Sequence, residues 1–90
     1  MPRSSSGSLR DYVAANARKL REACGLTQEQ VASSVGCSPR YFRSIEVGQV
    51  NLTLTTLELI ANALEVEAHE LLRPAELVRR GRGRPAKKKR

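Results

Sequence analysis

The stretch G-L-T-Q-E-Q-V-A-S-S-V-G-C-S-P-R-Y-F-R-S-I-E-V-G, residues 25–48, constrains the fold more than any other. Gly25, Gly36 and Gly48 punctuate it, and each segment between them carries its own helix-start signal. Thr27 is a good N-cap with Gln30 three residues on, the spacing of a capping box. Ser38 repeats the cap, and Pro39 follows at the first helical position, where a missing N–H costs nothing. Val31, Ala32 and Val35 give the first segment an apolar face, and Phe42 and Ile45 do the same for the second. The link Val35-Gly36-Cys37-Ser38 is short, and Gly36 allows the positive φ of a tight turn. Ala32 is small enough for the second helix to cross close by. Helices this short are marginal alone in water, so the flanking chain must supply a bundle around them.

The flanks read that way. Ser8 is an N-cap with Asp11 at the capping-box position. Leu9, Tyr12, Val13, Ala17, Leu20 and Cys24 recur at three- and four-residue intervals, and Gly25 stops the helix. Arg18, Lys19 and Arg21 sit near its C-terminal end, where the macrodipole favours positive charge. After Gly48 comes a loop, Q-V-N-L-T-L. Thr55 is expected to cap a fourth helix, with Glu58 at the box position and Leu57, Ile60, Ala61 and Leu64 facing inward. Val66 and Glu67 break the run. A-H-E-L-L-R, residues 68–73, makes a short fifth helix whose Leu71 and Leu72 close the core. No stretch alternates as a strand does, and no long-period repeat is present. The fold class is therefore all-α. With one Phe, two Tyr and no Trp, the core has to be built from aliphatic side chains.

Ninety residues suffice for one small domain. The net charge of +7 is unevenly placed: residues 1–73 balance to zero, and residues 74–90 carry all of it. A neutral body with a basic arm suits a polyanionic partner. No apolar run approaches the length of a membrane span, and the Ser/Gly-rich start is unlike a signal peptide. Cys24 and Cys37 lack metal-ligand spacing and read as buried, reduced small hydrophobes in a cytoplasmic protein. His69 has no evident partner and is assigned to the surface. No Ser/His/Asp or Cys/His grouping suggests catalysis, so the chain reads as a non-enzyme with no cofactor, no metal and no small-molecule ligand.

The residues 9–72, with L-R-E-A-C-G-L-T-Q-E-Q-V-A, V-G, I-E-x-G and L-x-x-I-A-x-A-L in order, resemble the Cro/repressor-type helix-turn-helix family, also called lambda-repressor-like or XRE-type. The resemblance implies a compact five-helix bundle whose third helix enters the major groove of DNA. It also implies a phosphate contact for Gln28 and an ion pair between Arg21 and Glu46. Physical reasoning runs alongside. Phe42 and Ile45 turn inward, so Pro39, Arg40, Tyr41, Arg43 and Ser44 are left facing out. Arg40 suits the bidentate contact to guanine O6 and N7, and Pro39, Tyr41 and Ser44 complete the candidate base-reading set. Ser38, Arg43, Gln49 and Asn51 join Gln28 as candidate phosphate contacts, the last at a helix N-terminus that attracts anions. The family often has Gln where this chain has Pro39 and Arg40, so a relative's base preference does not transfer.

The chain divides into a disordered lead-in over 1–7, the DNA-binding domain over 8–73 and a basic tail over 74–90. Within the tail, Arg82-Gly83-Arg84-Pro85 resembles an AT-hook. Arg80, Lys87, Lys88, Lys89 and Arg90 flank it. Glycine lets an extended backbone approach the floor of a narrow A·T-rich minor groove, whose potential favours arginine. A sequence-blind phosphate arm and a protein-binding tail are the other readings of the same residues. The chain as a whole reads as a sequence-specific transcriptional regulator whose partners are double-stranded DNA and a second copy of itself, located in the cytoplasm at the nucleoid. A nucleoid-associated architectural protein and an antitoxin or other protein-interaction module are the alternatives.

Overall fold

A computed structural model describes residues 8–76 and contains five helices in chain order, α1 Leu9–Ala23, α2 Gln28–Val35, α3 Pro39–Glu46, α4 Leu54–Leu64 and α5 Ala68–Leu71. No strand occurs among the described residues. Local chemistry sets most of the boundaries. Ser8 Oγ accepts from the Asp11 N–H at 3.4 Å, starting α1. At α2 the full capping box forms: Thr27 Oγ1 accepts from the Gln30 N–H, and Gln30 Oε1 accepts from the Thr27 N–H. Ser38 Oγ accepts from the Tyr41 N–H at 3.0 Å, with Pro39 opening α3. Gly36 ends α2 at φ +92°, a conformation that costs an L side chain about 1–2 kcal/mol.

The fourth helix begins earlier than its sequence suggests. Thr53, not Thr55, is the cap: its Oγ1 accepts from the Thr56 N–H at 3.0 Å, and its carbonyl accepts from Leu57. Both threonines offer the same chemistry two residues apart. Capping at Thr53 adds backbone hydrogen bonds and a Thr53–Thr56 hydroxyl contact at 3.0 Å, while Glu58 stays exposed. The helix ends at Glu65 in the left-handed region (φ 60°), a position where glycine is the usual occupant. The fifth helix stops at Leu71, short of Arg73, and Glu70 Oε2 accepts from the Glu67 N–H at its start.

One core serves all five helices. Phe42, Ile60, Leu64, Leu71 and Val31 are its largest fully buried side chains. Ala14, Ala17 and Ala32 have no exposed surface, so backbones approach closely at those points. The α2–α3 pair packs on α1 and α4, with α5 closing the end between α1 and α4. Leu71 is fully buried, and Leu72 packs on the core's edge. Two inward expectations fail at the ends of α1. Leu9 is 61% exposed and Cys24 is exposed, because the apolar period runs on past the elements that cover the helix. Cys37 does pack against the core, and burial pushes its thiol pKa up. His69 is exposed.

A residue absent from any sequence pattern fastens the chain after α5. Asn16 lies on the buried face of α1, and its amide Nδ2 donates to the carbonyls of Leu71 at 3.0 Å and Arg73 at 2.9 Å. The Leu71 carbonyl belongs to the last residue of α5, where the helix supplies no partner of its own, and the Arg73 carbonyl lies two residues further on.

Candidate nucleic-acid interface

Helix α3 divides into two faces. Phe42, Ile45 and Glu46 are buried, whereas Pro39, Arg40, Tyr41 and Arg43 are exposed and Ser44 is half-buried. The outward face is held at a fixed angle because the inward one is anchored by Phe42, which has no exposed surface. Neither Arg40 nor Arg43 forms an ion pair among the described residues. Their positive charge is therefore uncompensated and directed outward. Arg18 and Arg21, by contrast, are engaged with Glu22 and Glu46.

The hydroxyls of this region are partly committed. Ser38 Oγ accepts the Tyr41 N–H, which leaves its own O–H to donate elsewhere. Ser44 Oγ donates back to the Arg40 carbonyl at 3.2 Å, so in this rotamer it offers only acceptor lone pairs outward. Gln49 is exposed and tied to α3 by its N–H bond to the Ser44 carbonyl at 3.1 Å. Asn51 is exposed too, but it lies on the rim of an apolar groove between the starts of α1 and α4.

At the inner end of α3 is a four-residue network. Glu46 is only 4% exposed. Its Oε2 accepts from Arg21 Nε at 2.7 Å, and its Oε1 accepts from Arg21 Nη2 at 3.2 Å. Arg21 Nη1 donates to the Leu26 carbonyl at 2.9 Å, fixing the α1–α2 turn. The Glu46 hydrogen bond, opposed by burial, raises the Arg21 pKa above its ordinary value, so the guanidinium stays charged at any working pH. The remaining member is Gln28, whose Nε2 donates to Glu46 Oε1 at 2.8 Å. Gln28 and Glu46 are each conspicuous in the sequence, but nothing in it joins them.

The candidate residues thus fall on the cap and outer face of α3, the N-terminus of α2 and the following loop. Arg80, Arg82, Gly83, Arg84, Pro85, Lys87, Lys88, Lys89 and Arg90 lie outside the described residues. Among the described residues, no three His, Cys, Asp or Glu side chains group to hold a metal, and no helix is long and apolar enough to cross a membrane.

Two short helices crossing at a glycine turn, the second anchored inside and basic outside, define a DNA-reading domain. The helix-turn-helix family model matches residues 18–71, more than half of the chain, and the chain belongs to that family. It is 41% identical over 68 residues to the uncharacterised HTH-type transcriptional regulator y4dJ of Sinorhizobium fredii, covering 76% of this chain and 88% of that protein. Among solved structures, it is similar to the restriction-modification controller protein C.AhdI from Aeromonas hydrophila, with TM-score 0.66, 35% identity, and 69% of this chain and 94% of that one covered. The hypothetical transcription factor NHTF from Neisseria superposes with TM-score 0.73 and 32% identity, over 82% of this chain and 85% of that one.

Proposed function

We propose that this chain is a sequence-specific DNA-binding transcriptional regulator that lays α3 in the major groove as a homodimer. The observation that carries the reading is the outward face of α3, where Arg40 and Arg43 are exposed and form no ion pair among the described residues while Phe42 and Ile45 fix the helix from within. Pro39, Arg40, Tyr41 and Ser44 face base edges. Arg40 pairs with a guanine, Tyr41 packs on a thymine methyl or reaches a phosphate, and Ser44 accepts from a base amino group. Ser38, Arg43, Gln49, Asn51 and Gln28 meet phosphates, which position the protein without reading sequence. The relatives named as transcriptional regulators or controllers support the same role.

One domain of this size covers few base pairs, so extra affinity has to come from a second copy or the tail. Leu54 is 78% exposed beside the groove lined by Leu9, Val13, Leu52 and Leu57, and this apolar surface supports self-association. The tail adds charge, and its Arg82-Gly83-Arg84-Pro85 supports insertion into A·T-rich minor groove. Selection of binding sites from random DNA, with the full chain and with a chain ending at residue 78, tests the reading. A defined motif from both proteins is expected, repeated as a two-fold palindrome with A·T enrichment at the flanks for the full chain only. A·T enrichment without a defined motif would overturn it.

A further inference from the structure

Among the described residues, Glu46 is the one side chain through which all three of the elements α1, α2 and α3 are hydrogen-bonded at this corner. It belongs to α3, takes two bonds from Arg21 of α1 and one from Gln28 at the first position of α2. Its 4% exposure means that it does not itself reach a DNA molecule. Gln28 is half-exposed, and its amide nitrogen carries two protons. One is given to Glu46. A planar amide held by one strong, charge-assisted bond is restrained in orientation, and its second N–H meets no acceptor among the described residues. Left to itself, a carboxylate this close to a phosphate-binding amide would repel the phosphate. The bidentate Arg21 guanidinium cancels that charge on the far side.

We propose that Glu46 is a positioning residue for DNA binding, holding the Gln28 amide so that its second N–H meets a backbone phosphate while α3 reads the groove. The inference rests on the proposed phosphate contact of Gln28 and adds what aims it. Glu46 thereby ties the phosphate anchor on α2 to the reading helix, so the two move as one body. A glutamine at 46 would break the link. Arg21 claims the amide oxygen, and the NH2 that remains is met only if the Gln28 amide flips to offer its Oε1, which carries the Gln28 NH2 away from its present direction.

The test is a double-mutant cycle of Gln28→Ala and Glu46→Gln in the full chain. Affinity is measured for a duplex carrying the motif recovered by selection, well below each variant's melting temperature and across a salt series. Gln28→Ala should lose roughly tenfold in affinity, the worth of one hydrogen bond to a charged group. Because glutamine is neutral, the salt slope should not change. Glu46→Gln should lose a similar factor, and the double variant should be no worse than about twofold below Gln28→Ala alone. Losses that multiply would overturn the positioning role and leave the Gln28 contact standing. No loss from Gln28→Ala would overturn the contact and the positioning role with it. If Glu46→Gln does not fold, Arg21→Met with Glu46→Leu replaces it, since that pair leaves no buried charge unpartnered. In that background Gln28→Ala should have no effect, and an undiminished tenfold loss would overturn the proposal.

Discussion

Asn16 shows how one buried polar side chain can fasten the stretch that follows a helix. Its amide satisfies two carbonyls at the close of α5, and both would be left without that partner in Asn16→Ala. The expected cost is about 1–3 kcal/mol in urea denaturation. A change below a few tenths would mean that water takes over both carbonyls at no cost. Backbone conformation at single residues gives a matched pair of expectations. Glu65 is held at φ 60° without being glycine, so Glu65→Gly should stabilise by about 0.5–1 kcal/mol. Gly36 has the same handedness at φ +92°, and a Cβ there would meet nothing within 4 Å. Gly36→Ala should therefore destabilise by about 1–2 kcal/mol through the backbone alone. Thermal melts of the two variants should shift in opposite directions. A shift of the same sign would show that something other than backbone strain decides these positions.

At the scale of the helices, the Arg21–Glu46 pair adds a polar link between α3 and α1 to the packing of Phe42 and Ile45. With Glu46 buried and the guanidinium bidentate, the pair is no screened surface contact. A cycle of Arg21→Met and Glu46→Leu should give an interaction energy above about 1 kcal/mol in stability, and additive losses would contradict that. The helix starts α2 and α3 were legible in the sequence because Thr27–Gln30 and Ser38–Pro39 act within one turn. The start of α4 was not, since Thr55 with Glu58 at the box position is the stronger local signal and the packed chain selects Thr53 instead. Leu9 and Cys24 were misplaced for a related reason. Periodicity marks a helix face, but not how far along it the neighbours reach. The partners of Asn16 are 55 and 57 residues away, and no local pattern announces them. The link from Gln28 to Glu46 spans 18 residues and depends on the crossing of α2 and α3.

For the whole molecule, the division of charge matters as much as the bundle. Residues 1–73 are neutral overall and residues 74–90 carry the entire +7. Deleting residues 79–90 should leave thermal stability nearly unchanged, because the described residues build a core from all five helices that lies wholly before them. DNA affinity should fall, and the slope of log K against log salt should shrink by roughly 4–5 units if about five of the removed basic residues touch phosphates. An unchanged slope would show that the tail stays off the DNA. The bundle's share is the reading itself, and it rests on a helix pinned by Phe42 and Ile45 with Arg40 at the front of its exposed face. The most direct test measures wild type and Arg40→Ala against a panel of duplexes, each altered at one position of the selected motif. Arg40→Ala should lose about 1–3 kcal/mol on the intact motif and become indifferent to the base at one position, a guanine. An affinity loss spread evenly over the panel, with every base preference intact, would make Arg40 a phosphate contact and contradict the assignment of α3's leading arginine to base reading.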